Sequence, residues 1–462
     1  MNTLVKLRKS IMLFVKMMIV AASAVGFIQV WINNYVESVF SNKGNYVVIL
    51  SYVLLFSVFS SLYGAFNIGI LRIHEVIYSF SLSIIFTNTV MYLELSLIAR
   101  QMVDVLPMIL GVVYQIIVVT ICSFCANTIY FRLYPPRRVV AIFGGDVSMF
   151  ELIQKMGKIS DRFQIVYGIN ANTANFEQMK HQIDKHDAVL IGGIDKNFQK
   201  QIISYCYTQE KRTYLLPDIT DIIIGSSYNI QISDTPVLMS RNRGLTFEQR
   251  IIKRIMDIVL AAIGIIITSP IMLICAIAIK LDDGGPILFK QNRITRGGKI
   301  FNILKFRSMI VDADKDGAKK AVSDDDRITK VGRVIRACRV DELPQLFNIL
   351  LGDMSMVGPR PERIENVYEY STKYPEFELR HRVKGGLTGF AQLYGKYNTS
   401  PEDKLHMDLI YVETYSLLLD IKLLILTFKV LFMRESTEGF SEKANENVRA
   451  SKSLKKESED QK

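Results

Sequence analysis

The sequence predicts a membrane protein of α plus α/β class: four spanning helices, a small parallel-sheet domain, and a larger mixed domain opened by one more apolar run. Three observations carry this prediction. Four apolar runs near the N-terminus each approach the roughly 20 residues that a spanning helix needs. Short apolar strands then alternate with helical stretches between Pro136 and about residue 240. Beyond them Ile258 to Ile279 is apolar again, interrupted by Ser269 and Pro270.

The spans are justified in order. Lys6, Arg8 and Lys9 precede Ile11 to Trp31, which is apolar apart from Lys16. Tyr46 to Phe66, Val76 to Ala99 with Glu94, and Val105 to Ile129 follow. The first run is too long for the apolar core of a cleaved leader and lacks a small-x-small site, so it reads as a span. Arg72 joins the second and third spans, and Arg132, Arg137 and Arg138 follow the fourth, while only Lys43 and Arg100 sit at the opposite ends. The positive-inside bias therefore places both ends of this region in the cytoplasm. Glu94 reads as an interfacial residue.

After Pro135 and Pro136, strands are expected at Val139 to Phe143, Phe163 to Gly168, Asp187 to Ile191 and Thr213 to Leu216, giving a small doubly wound parallel sheet. The first strand runs into Gly144, Gly145 and Asp146, but no GxGxxG follows, so a bound dinucleotide is only weakly supported.

Composition sets limits on function. The 462 residues suit about three domains, and a mean hydropathy of +0.21 is high for a soluble chain. The net charge of +11 calls for an anionic partner: nucleic acid, phospholipid headgroups or a phosphorylated substrate. Cys122, Cys125, Cys206, Cys275 and Cys338 have no zinc-site or disulfide-framework spacing, and the CxxC of Cys122 and Cys125 lies inside an apolar run, where packing is its reading. Walker A, HExxH and GxSxG are absent, so a P-loop nucleotidase, a zincin and an α/β-hydrolase are unsupported.

Arg250, Lys253 and Arg254 lead into the fifth apolar run. By hydropathy it suits either a fifth crossing or a helix that dips in and returns, since a mid-run proline removes one helix hydrogen bond. Near the end, Asp420 to Phe432 carries Ile421, Leu423, Leu424, Ile425, Phe428 and Leu431 with Lys422 and Lys429, which suits a basic lipid-facing helix or a buried edge helix. The last twenty or so residues are charged and read as disordered.

What remains for chemistry is carboxylates beside arginines. Gln291, Asn292 and Arg293 lead through Gly297 and Gly298 to Phe301, then Lys305, Phe306, Arg307, Ser308 and Met309, an alternation that puts cations on one face of a strand. Asp341 and Glu342 open a helix in which Leu343, Leu346, Phe347 and Leu350 share a face and Pro344 sits in the first turn. Acids there are ordinarily capping residues. Their context argues otherwise, because Arg336 and Arg339 lie just upstream and Arg360 is fixed between Pro359 and Pro361 downstream. Neighbours on a helix point about 100° apart, so the two carboxylates would do different jobs.

Together Lys305-Phe306-Arg307-Ser308-Met309, Asp341-Glu342-Leu343-Pro344-Gln345-Leu346 and Val357-Gly358-Pro359-Arg360-Pro361 resemble the bacterial sugar transferase family, the monotopic phosphoglycosyl transferases. The likeness covers roughly residues 245 to 440. It includes Ser269-Pro270, Gly386-Leu387-Thr388-Gly389, Gly395-Lys396-Tyr397-Asn398-Thr399 and Leu417 to Asp420. Four spans followed by a Rossmann-like unit resemble the family's long form, the polyprenyl glycosylphosphotransferases of capsule and exopolysaccharide pathways.

The resemblance implies four regions: spans over 1–131, a Rossmann-like cytoplasmic domain over 132–240, a monotopic catalytic domain over 241–440, and a disordered tail over 441–462. A re-entrant helix at about 255–280 would turn back at Ser269 and Pro270. It also implies transfer of a sugar 1-phosphate from a UDP-sugar to undecaprenyl phosphate in the bacterial cytoplasmic membrane, with the catalytic domain on the cytoplasmic face, UMP released, and no role for nucleic acid. Asp341 would be the nucleophile and Glu342 the Mg²⁺ ligand. Lys305, Arg336 and Arg360 would bind substrate phosphate, Asp408 is a further acid without an assigned role, and self-association is left open. Carboxylate nucleophiles split one displacement into two, and Mg²⁺ takes one or two carboxylates plus phosphate oxygens. Gly385-Gly386 stands where many members have Pro-Gly, which is expected to loosen that loop. Two other readings are a glycosyl transferase that releases UDP and a non-catalytic membrane scaffold or sensor.

Overall fold

The computed structural model describes residues 2–35, 44–145, 147–157, 159–240, 244–311, 325–395 and 399–431. Lys43, Asp146, the Lys396-Tyr397-Asn398 stretch and the tail over 441–462 lie outside the described residues. The chain forms two compact units, Met1–Pro217 and Asp218–Lys462.

In the first unit the four apolar runs fold as helices α1 (Asn2–Asn34), α2 (Gly44–Leu62), α3 (Ile73–Ala99) and α4 (Leu106–Leu133). Each is long and apolar enough to cross a membrane. Phe27, Trp31, Tyr52, Phe56, Phe80 and Met91 fill the bundle interior, and Phe27 stacks on Tyr52 at 4.3 Å between centroids. A buried polar cluster draws one residue from each helix. Ser23 Oγ and Tyr52 OH are 2.8 Å apart, Asn88 Nδ2 donates to Gln115 Oε1 at 2.8 Å, and Gln115 Nε2 donates to the Ser23 carbonyl at 3.3 Å. In hydrocarbon these groups have no water to turn to, so each supplies a neighbour's hydrogen bond. Glu94 accepts from Ser51 Oγ at 3.2 Å.

Strands β1 (Arg137–Phe143), β2 (Phe163–Asn170), β3 (Ala188–Gly192) and β4 (Arg212–Leu215) form the expected parallel sheet, in the order β2-β1-β3-β4. Successive residues face opposite sides. Val140, Ile142, Val189 and Ile191 pack on Met179, Ile183, Ile202 and Cys206, while Val139, Ala141, Ala188 and Leu190 pack on Met149 and Met156. The helices between are α5 (Val147–Gly157), α6 (Phe176–Lys185) and α7 (Lys196–Thr208), the last started by Asp195, whose carboxylate accepts from Asn197 N and Phe198 N. Arg162 donates to the carbonyls of Ile70 and Leu71, so the sheet is bonded to the loop that joins α2 and α3.

The second unit begins with α8 (Ile219–Gly225) and the hairpin β5 (Tyr228–Ile232) and β6 (Thr235–Met239). Helix α9 (Phe247–Asp283) follows, started by a reciprocal capping box between Thr246 and Gln249. It remains helical through Pro270. The proline lacks the N–H that would bond the Ile266 carbonyl, and Ser269 Oγ donates to that same oxygen at 2.9 Å. Both halves of α9 pack on one body. Lys253, Asp257 and Ala261 are buried toward Asp420, Ser355 and Leu346, and Met272, Cys275 and Ile279 are buried against Phe306 and Ile335. Ile266, Ile267, Leu273 and Ile274 are exposed.

The rest comprises the hairpin β7 (Leu288–Ile294) and β8 (Ile300–Phe306), α10 (Lys330–Ala337), α11 (Gln345–Leu351), β9 (Ser355–Val357), α12 (Ile364–Lys373), β10 (Gly386–Thr388), α13 (Phe390–Tyr394), α14 (Pro401–Glu413) and α15 (Leu417–Leu431). Helix α15 is two-sided: Asp420, Leu423 and Leu426 are buried, and Leu418 and Phe428 are exposed. Of the two readings of this segment, the buried edge helix fits Lys429, which is buried because it falls three residues after Leu426 on the packed side.

Candidate functional site

Asp341 and Glu342 do not open a helix. They lie in a 3-10 turn, Val340–Glu342, and α11 starts after Pro344 with no side chain capping its N-terminus. The expectation that these acids open the helix is thereby corrected, and the absence of a side-chain cap agrees with the context that argued against a capping role. The N–H groups a cap would serve are already bonded, Leu346 N to the Leu343 carbonyl at 3.0 Å and Phe347 N to the Pro344 carbonyl at 3.1 Å, and the turn closes on itself through Leu343 N donating to the Val340 carbonyl at 3.1 Å. Arg339 enters the turn at φ 55°, a left-handed conformation that costs a non-glycine residue energy and often marks a functional bend.

Glu342 gathers the cations. Lys305 Nζ, from β8, and Arg360 Nη2 both donate to its Oε1 at 2.7 Å. Burial pushes the Glu342 carboxyl up, but Arg360 and Lys305 outweigh it and hold it well below the ordinary range. Lys305 itself is lowered by burial, with Glu342 opposing. Among the described residues Asp341 has no hydrogen-bond partner. Burial raises its carboxyl above the usual value, Lys305 works against that shift, and Glu342 adds to it. Arg336, from α10, contributes charge to the same site, and its buried Nη1 has no partner among the described residues. The unsatisfied guanidinium donor calls for an acceptor that the protein itself does not supply.

Arg360 is presented by a loop whose main chain is held at three successive carbonyls. Pro359 O accepts from Gly386 N at 2.9 Å, Arg360 O from Arg380 Nη2 at 2.8 Å, and Pro361 O from Arg293 Nη1 at 3.1 Å. Strands β9 and β10 pair in parallel beside it, so closely that a Cβ on Gly386 would lie 2.1 Å from Gly358 N. Gly385 does not loosen this loop as expected. Its N–H donates to Thr295 Oγ1 at 3.1 Å, a bond that proline could not make, and its carbonyl accepts from Ser355 N at 2.9 Å.

Asp408 stands apart from the acids. It is buried on α14 and ion-paired to Arg380 at 2.7 Å. Ser269 and Pro270 lie on α9, in none of these contacts. Sequence reasoning missed Arg380 and gave Arg293 no site role. Arg293 carried a local signal in the alternating strip of β7, whereas Arg380 had none, lying in a charged stretch that reads as surface.

The sequence pattern of the family described as bacterial sugar transferase matches residues 248–434. The UDP-glucose:undecaprenyl-phosphate glucose-1-phosphate transferase of Caulobacter vibrioides is 40% identical over 189 residues, which cover 40% of this chain and 71% of that protein. The chain belongs to the bacterial sugar transferase family. A second relative of this sugar transferase is the UDP-N-acetylgalactosamine-undecaprenyl-phosphate N-acetylgalactosaminephosphotransferase of Aeromonas hydrophila, 43% identical over 39% of this chain and 43% of that protein. A third, the UDP-glucose:undecaprenyl-phosphate glucose-1-phosphate transferase of Klebsiella pneumoniae, is 32% identical over 62% of this chain and 60% of that protein. This chain therefore spans only about half the length of these two relatives. The matched stretch contains Lys305, Arg336, Asp341, Glu342, Arg360 and Asp408.

Proposed function

We propose that this sugar transferase moves a sugar 1-phosphate from a UDP-sugar to undecaprenyl phosphate, beginning assembly of an exopolysaccharide, capsule or other surface glycan. The observation that carries the reading is the contrast between two adjacent carboxylates. Glu342 is locked by Lys305 and Arg360, while Asp341 is half-buried among the same cations with no hydrogen bond among the described residues. An unbonded carboxylate is a nucleophile; one held by two cations is a fixed charge that can hold a metal.

Asp341 Oδ attacks the phosphorus that carries the sugar. The Oδ–P bond forms as the bond to the bridging oxygen breaks, and UMP leaves with that oxygen. A phosphate oxygen of undecaprenyl phosphate then attacks the same phosphorus and releases Asp341 as carboxylate, giving the lipid diphosphate sugar. Lys305, Arg336 and Arg360 hold the phosphate oxygens, and the guanidinium groups suit paired bonds to phosphate.

The acids fit Mg²⁺ as a substrate-completed site. No group of three or more metal-ligating side chains occurs among the described residues, but both cations on Glu342 use Oε1, leaving Oε2 for a cation that needs one or two carboxylates plus phosphate oxygens. When bound, Mg²⁺ would neutralise diphosphate charge near Asp341.

Re-entry of α9 is part of the same reading. One globular unit holds both halves of this helix, which supports a helix that enters and returns with its exposed isoleucines in lipid. The catalytic unit then meets a soluble donor and a lipid acceptor at the cytoplasmic face of the bacterial membrane.

The test uses the full chain in nanodiscs with undecaprenyl phosphate, Mg²⁺, and UDP-glucose or UDP-N-acetylgalactosamine, following UMP and UDP separately. UMP release that disappears in Asp341→Asn is expected. UDP release, or full turnover by Asp341→Asn, would sink the reading. Labelling of single cysteines at the exposed positions 155 and 299 from the same side is expected; labelling from opposite sides makes α9 a crossing helix.

A further inference from the structure

We infer that Asp408 and Arg380 form a buried positioning pair that sets Arg360 against Glu342, an inference that rests on the roles proposed for Asp341 and Glu342. Arg380 is 4% exposed and Asp408 1% exposed. One nitrogen of Arg380, Nη2, donates both to Asp408 Oδ2 at 2.7 Å and to the Arg360 carbonyl at 2.8 Å. Arg360 in turn donates to Glu342 Oε1 at 2.7 Å. The chain of contacts runs Asp408, Arg380, Arg360 main chain, Arg360 guanidinium, Glu342.

The arrangement explains why two charges are kept in the interior. A buried ion pair contributes little net stability compared with an apolar pair of similar size, so retention for geometry is the better account. Pro359 and Pro361 have no N–H, so at those two positions the main chain can be fastened only through its carbonyls. Arg360 O is the middle one of the three. Its donor is a side chain whose own direction is fixed by Asp408 on one side and by the Phe377 ring, 4.8 Å from the guanidinium carbon, on the other. Arg380 meets Arg360 through the main chain and acts on substrate only by placing Arg360.

Two variants separate positioning from folding, each assayed in the full chain in nanodiscs with the same two donors. Arg380→Lys keeps the charge beside Asp408 but loses the forked geometry. The double variant Arg380→Met/Asp408→Leu removes both charges together, which spares the fold the stranded ion that either single change would leave. Both are expected to melt near the wild type and to lose about 10- to 100-fold in kcat, the usual cost of disturbing a supporting contact at an active site. In an Arg360→Lys background, Arg380→Lys is expected to cost little more, because the guanidinium it places is already gone. Wild-type kcat in either stably folded variant overturns the inference, and so do losses that multiply in the Arg360→Lys background. If the double variant unfolds, Arg380→Lys decides alone. Asp341→Asn runs in parallel. Its full activity would overturn the nucleophile assignment, whereas an inactive Asp341→Asn beside a fully active, folded Arg380→Lys overturns only the positioning pair.

Discussion

Lys305 and Arg360 converge on a single oxygen of Glu342, each at 2.7 Å, although they come from a strand and a loop more than fifty residues apart in sequence. Two cations meeting on one oxygen repel each other unless the carboxylate stays ionised between them. Glu342→Gln is expected to set them at odds, lowering kcat about 100-fold and stability by about 2 kcal/mol, mostly through the Lys305 arm because Arg360 is 43% exposed and screened by water. Turnover and denaturant melts of the variant in detergent check this; a variant as active as the wild type would contradict it.

Asp408 sets a pH window. Burial raises its carboxyl to about 6 from 3.8, with Arg380 opposing the shift and Glu362 and Lys404 as the other charged groups acting on it. The folded value exceeds the unfolded one, so this group alone makes stability fall as pH rises from about 4 to 6, and the ionised form that holds Arg380 dominates only above 6. The kcat profile is expected to rise through pH 6 in the wild type and to lose that limb in Asp408→Asn. A limb unchanged in the variant would assign it to another group.

Asn88 joins α3 to α4 inside the bundle through Gln115. Asn88→Leu strands the Gln115 carbonyl oxygen in a dry interior and is expected to cost about 1 kcal/mol. Unfolding titrations in mixed micelles measure the shift, and an unaltered midpoint would mean that the cluster contributes nothing.

Gly386 has no room for a methyl group, with Gly358 N at 2.1 Å and the Thr388 carbonyl at 2.5 Å from the place its Cβ would take. Gly386→Ala is expected to push β9 and β10 apart, costing about 3 kcal/mol and lowering turnover through Arg360. Equal stability and turnover would show that the strands can part without consequence.

The sequence made the apolar runs and the four sheet strands readable because hydropathy and period-two burial are local signals; the observed strand ends differ by only one or two residues. Asp341 and Glu342 were readable as a pair through the arginines near them, but not their 3-10 turn, which depends on Pro344 and on how Arg339 enters. Arg380 and Asp408 could not be paired from sequence. Twenty-eight positions separate them, and an arginine between Leu379 and His381 has the pattern of an ordinary surface residue until packing buries it.

The fastening of Pro359, Arg360 and Pro361 by three carbonyls means that the Arg360 side chain is carried on a stretch of main chain whose position is fixed. The part of the reorganisation that would fall on this main chain as phosphate charge shifts has been completed during folding. Such a site is hard to retune by exchanging surface neighbours. Drift in donor preference among descendants of this chain should therefore collect away from the Pro359-Arg360-Pro361 segment, on walls that can change without moving its backbone.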